Sequence, residues 1–87
     1  MIDPELSLLL KRPDAARLLN TLESLLTHMD SKQAASDALG IHRQTLYARI
    51  EVLASILGAD FLSSRRRVGL ETAVLAYRYL TWHRLPT

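Results

Sequence analysis

Apolar side chains along the 87-residue chain recur at intervals of three and four, the spacing of one face of an α-helix, while proline and glycine fall between the periodic stretches at positions 4, 13, 40, 58, 69 and 86. Residues 14 to 28 set Ala15, Leu18, Leu19, Leu22, Leu25, Leu26 and Met29 on one arc and Arg17, Asn20, Glu23 and Ser24 opposite, which predicts an amphipathic helix. Asp14, directly after Pro13, is placed to cap it. A second helix is predicted over 32 to 39, with Ser31 as N-cap, a small-residue face of Ala34, Ala35, Ala38 and Leu39, and Gly40 as its stop. The third begins near His42 and carries Leu46, Ile50, Leu53 and Leu57 to a stop at Gly58. A fourth, over roughly 69 to 83, presents Leu70, Ala73, Val74, Tyr77 and Leu80 to the leucines of the first and third. Pro4 to Leu10 adds at most a further turn or two, and the β-compatible stretch Phe61 to Val68 is interrupted by three arginines and too short for a wing. The expectation is an all-α fold, a small four- or five-helix bundle making one domain over residues 1–87.

Composition narrows the function classes. A 9.8 kDa chain supports one modest core and little room for an elaborate enzyme pocket. No apolar run approaches the roughly 18 to 20 residues that span a bilayer, and the absence of cysteine excludes disulfides and thiol chemistry and suits a reducing, cytoplasmic setting. The net charge of +2 is unevenly placed: residues 1 to 40 hold four basic and six acidic side chains, residues 41 to 87 seven and three. Arg43, Arg49 and the run Arg65, Arg66, Arg67 concentrate positive charge in the second half, which suits an anionic partner, although a solvated arginine-rich loop explains the run as well.

The informative segment is residues 31 to 57. A short alanine-rich helix, a turn around a glycine and a longer helix make the pattern of a helix-turn-helix, in which Ala35 and Ser36 are small where the helices cross and Leu39, Ile41 and Leu46 fill the angle between them. The second helix of such a motif enters the DNA major groove by its N-terminal end, which places His42, Arg43, Gln44 and Thr45 nearest the DNA. Arginine suits a guanine edge, glutamine an adenine edge, and threonine a phosphate or thymine methyl. Ser31 and Lys32 at the start of the preceding helix suit phosphate contacts, and Tyr47 and Arg49 complete the candidate set. Ala48 offers no polar reach, and Glu51 places a carboxylate near a passing backbone.

Other chemistries find little support. His28, His42 and His83 lack the spacing of a helical metal site, so no metal and no cofactor are expected. Neither a glycine-rich phosphate loop nor a nucleophile elbow occurs, and an enzyme is not expected. On the last helix Leu75, Tyr79 and Trp82 form a second apolar stripe, readable as an interface with an identical subunit, as an interface with a further part of a longer protein, or as a face covered by Leu8 to Leu10. The competing functional reading is therefore a protein-interaction or dimerisation module with a helix-turn-helix shape and no DNA function.

The string Gly40-Ile41-His42-Arg43-Gln44-Thr45-Leu46, with Arg49 three residues on, resembles the C-terminal helix-turn-helix domain of the PucR and CdaR group of bacterial transcriptional regulators, and more distantly the Fis-type fold. His42, Gln44, Thr45, Leu46 and Arg49 match that family's pattern position by position, and Gly58-Ala59-Asp60-Phe61 is similar to its Gly-x-Asp-Leu. The resemblance covers about residues 18 to 82. Two departures are Ser63 to Arg67 where the family carries an acidic segment, readable here as extra phosphate contacts from Arg65, Arg66 and Arg67, and Ala48 where it often has tyrosine. The resemblance implies double-stranded DNA as partner, a homodimer if two half-sites are read, and larger N-terminal sensory domains absent here, so that the chain looks like a fragment of a longer regulator.

Overall fold

The computed structural model describes residues 4–84, with side chains from residue 5 to residue 81. Five helices follow one another: α1 (Pro4–Leu10), α2 (Ala15–Thr27), α3 (Lys32–Leu39), α4 (Arg43–Leu57) and α5 (Ser64–Arg84). No strand occurs among the described residues, and the all-α architecture expected from the periodicity is the one observed.

α2 is the central element, packed against each of the other four helices. Its leucines at 18, 19, 22, 25 and 26 are buried, but so are Thr21 and Ser24, which the periodicity puts on or beside the polar side. α3 covers the side of α2 that carries Ser24, leaving Ala16, Asn20 and Thr27 on a narrower solvated stripe, and small hydroxyls satisfy themselves on backbone carbonyls where helices approach closely. Thr21 donates to the Arg17 carbonyl (2.9 Å), and Ser24 donates across the helix pair to the Ala35 carbonyl of α3 (3.0 Å). Asp14 does not cap α2 through its side chain; its carboxylate accepts instead from Arg12 Nε at 2.9 Å. The guanidinium two residues earlier is the stronger, charge-assisted donor.

α1 contributes more than the sequence suggests. Leu6 and Leu9 are fully buried beside Leu22, Leu46, Leu53, Leu57 and Phe61 in one cluster, and the helix packs against α2, α4 and α5. Leu8 points away and is exposed, so Leu8 to Leu10 do not form one covering strip.

α5 begins at Ser64, five residues before the expected boundary, and Gly69 lies within it. Ser63 starts the helix: its carbonyl accepts from Arg66 and Arg67 N–H at 3.0 and 2.9 Å, and its hydroxyl oxygen lies 3.3 Å from the Arg66 N–H. Arginine is a good helix former, and the Arg67–Glu71 pair (3.2 Å) spans one turn across Gly69, which offsets part of the glycine's entropic cost. The inner face of α5 is Leu70, Ala73 and Val74 with Tyr77 half-buried, but Leu80 is exposed. This face packs on α2 and α1 rather than on α4. No described helix is long and apolar enough to cross a membrane.

Candidate nucleic-acid interface

Residues 31 to 57 fold as two helices joined by a short turn. Ser31 takes an extended conformation, and its side-chain oxygen accepts from Ala34 N–H at 3.0 Å, which fixes where α3 starts. Ala35 and Ser36 are buried against α2 and α4, whereas Ala38 is exposed, so the packed face of α3 is narrower than the alanine run implies. Gly40 ends the helix in the left-handed region (φ 68°, ψ 34°), and Ile41 N–H closes onto the Ser36 carbonyl at 3.1 Å. A side chain at Gly40 would meet no atom within 4 Å, so the glycine is required by its positive φ and not by space.

His42 precedes α4 in an extended conformation and makes no side-chain cap bond. Leu46, Leu53 and Leu57 are buried, which holds one side of α4 in the core and turns the other to solvent. His42, Arg43, Gln44, Thr45 and Tyr47 are all exposed, as are Ala48 and Glu51 further along. Arg49 differs: it is half-buried and its Nη1 lies 3.4 Å from Thr21 Oγ1, directing the guanidinium back to α2. Ser31 has spent an acceptor on its own helix but retains its hydroxyl proton, and Lys32 beside it is half-exposed.

Two residues not singled out by the sequence stand with this group. Gln33 and Asp37 lie on the exposed side of α3, joined by a 2.8 Å bond from Gln33 Nε2 to Asp37 Oδ1, and share a shallow depression with Gly40, His42 and Arg43. Their signal in the sequence is an amide and a carboxylate four residues apart, one turn before the glycine. Asp37 and Glu51 thus set negative charge on either side of the cationic and amide groups at the start of α4.

The arginine run occupies a different place. Arg66 Nη1 donates to the Leu57 carbonyl (2.7 Å) and to Asp60 Oδ1 (3.0 Å), and Nη2 donates to Glu5 Oε1 (3.0 Å). It therefore clamps the far end of α4, about 20 Å from Arg43 at 1.5 Å per residue. Three oxygens of the fold thus surround the guanidinium of Arg66, one of the three arginines read from the sequence as extra phosphate contacts. Arg67 is engaged with Glu71, and Arg65 is exposed. In the second stripe Leu75 and Tyr79 are exposed, so the covering of that face by residues 8 to 10 does not occur there; the Trp82 side chain lies outside the described residues, as does that of His83. Among the described residues no cluster of histidine or carboxylate side chains has the geometry to hold a metal ion.

Residues 18–76 match the model of the PucR C-terminal helix-turn-helix domain. Neither a curated protein nor a solved structure matches the chain.

Proposed function

Because the chain belongs to the PucR C-terminal helix-turn-helix family, whose members are DNA-binding domains of transcription regulators, we propose that it reads duplex DNA sequence-specifically with the first turns of α4. The observation that carries this reading is the display of Arg43, Gln44, Thr45 and Tyr47 on the solvent side of a helix whose opposite side is anchored by fully buried Leu46 and Leu53. Such anchoring holds groups with hydrogen-bonding capacity at a fixed angle to the domain, as base-edge recognition requires.

Within this reading Arg43 and Gln44 face base edges, while Thr45, Tyr47, Lys32 and the Ser31 hydroxyl meet phosphates near the starts of the two helices. His42 lies between these groups. Arg49 acts as a positioning residue through Thr21, Arg65 is an outlying phosphate contact, and Glu51 limits how far along α4 the DNA backbone approaches. A dimer would bring two such helices to one operator.

Selection of duplexes from a random pool at about 50 mM and 200 mM salt tests the proposal, because binding dominated by the phosphate backbone falls steeply over that range. The expected result is one motif that persists at the higher salt. Arg43→Ala should then cost about 1–3 kcal/mol at a single position of that motif. Retention of all sequences alike, vanishing with salt, would refute sequence-specific reading.

A further inference from the structure

The outer side of α5 carries Val68, Leu75 and Tyr79, 65%, 71% and 62% exposed, with exposed Thr72 among them. Positions 68, 72, 75 and 79 are spaced four, three and four, the repeat of a helix seam that packs against another helix. Large apolar side chains grouped on one solvent-facing stripe mark an interaction surface, not ordinary surface scatter.

Beside this stripe runs a groove between α2 and α5, lined by Leu26, Val74 and Leu75 with Glu23, Glu71 and Arg78. Leu75 belongs to both features: it projects outward and borders the concavity. The other flank of the stripe offers Gly69 and half-exposed Ala76, and nothing stands within 4 Å of where a Gly69 side chain would begin. Small residues there permit a second helix to approach closely.

The charges identify the occupant. Glu71 lies four residues before Leu75 and Arg78 three after it, on the same flank of the helix. A two-fold axis passing beside Leu75 sets each Glu71 opposite the Arg78 of the other copy, and each Leu75 against the other copy's groove. This pattern is self-complementary, the condition for an isologous interface. Within one chain Glu71 meets Arg67 and Arg78 meets Glu23 and Asn20, with the charged partners 39–47% exposed. Exposed pairs of that kind contribute little individually, so they are readily shared with a partner.

We infer that a second copy of this chain docks on this surface, the two α5 helices crossing antiparallel at Leu75 with Glu71 and Arg78 paired across the axis. The inference does not depend on how, or whether, α4 reads DNA.

Sedimentation velocity on the full chain, from low to high micromolar, is expected to show a monomer–dimer equilibrium. Leu75→Asp, at a site exposed enough to leave the fold intact by circular dichroism, should weaken it about tenfold or more. Glu71→Arg should weaken it as well, and Glu71→Arg combined with Arg78→Glu should recover it. Because the chain has no cysteine, single introduced thiols report orientation. Leu75→Cys should oxidise to a linked dimer, whereas Val68→Cys should not. In the antiparallel pair its two copies lie about 20 Å apart at 1.5 Å rise per residue, beyond the roughly 7 Å a disulfide spans. A wild-type monomer at high micromolar concentration, a dimer indifferent to Leu75→Asp, a charge swap that fails to recover association while remaining helical, or Val68→Cys cross-linking as readily as Leu75→Cys would each overturn the proposal.

Discussion

Replacing Arg66 by alanine separates a structural arginine from a DNA-binding one. The side chain is 22% exposed and serves three acceptors, of which the Leu57 carbonyl at 2.7 Å is the closest and ends the buried ridge of α4. A hydrogen bond from a charged donor is worth about 1.5–3 kcal/mol. The pairs with Glu5 and Asp60, 42% and 63% exposed on the acid side, must be discounted for solvent screening to about 0–1 kcal/mol each. Because the three bonds share one guanidinium they do not simply add, and a total of about 2–3 kcal/mol follows. Chains of this length have about 4–13 kcal/mol to lose at 0.05–0.15 kcal/mol per residue. The expected fall in Tm is about 10–20 °C at 4–8 °C per kcal/mol for small domains. Urea unfolding followed by circular dichroism measures the loss, and Arg66→Lys, a point charge unable to span all three acceptors, should recover only part of it. DNA affinity of the folded variant should stay unchanged, since the clamp lies at the far end of α4. An unchanged Tm together with uniformly weaker binding to all duplexes would refute this reasoning and return Arg66 to the DNA backbone.

Leu9→Ala should destabilise by about 2–5 kcal/mol, the cost of a cavity in a packed core. Leu9 is fully buried although it lies outside the family-matched residues 18–76, and an unchanged urea midpoint would contradict the role given to α1. The side-chain hydrogen bond from Arg12 lowers the Asp14 pKa below its ordinary 3.8, so the pair stabilises the fold above the unfolded value and loses that contribution as pH falls through the lower folded one. An NMR titration should show the depressed midpoint, and Arg12→Ala should return it towards the ordinary value. Glu51→Gln should strengthen binding to duplexes of any sequence several-fold at low salt by removing a charge that repels phosphate; unchanged affinity would place position 51 away from the DNA.

The periodic leucines make four of the five helices legible because a buried stripe at 3.6-residue spacing needs no knowledge of its partner. The turn is legible for a similar reason, since Gly40 stands where a positive φ is required. α1 is harder to see: seven residues give too few turns to establish a period, and its Leu6 and Leu9 gain meaning only from the helices above them. Gly69 and the three arginines suggest a loop, yet the turn begun by Ser63 and the long-range clamp of Arg66 on Glu5 favour helix there. Thr21 and Ser24 mislead in the opposite direction, their burial being set by the central position of α2. At the candidate interface, residue types point to Arg43, Gln44 and Thr45, while Gln33 and Asp37 emerge only when the turn brings α3 beside the start of α4.

α2 bonds to α3 through Ser24 and to α5 through Asn20 and Glu23, while among the described residues α5 meets α4 at its far end, through the Arg66 clamp on Leu57, and does not pack on α3. Under evolutionary drift, the outward side chains of α4 and those of α5 are therefore free to diversify on separate histories. A new preference on one surface need not disturb the other. Substitutions in α2 have no such latitude, and the same thirteen residues that join the two surfaces should be where compensating changes accumulate.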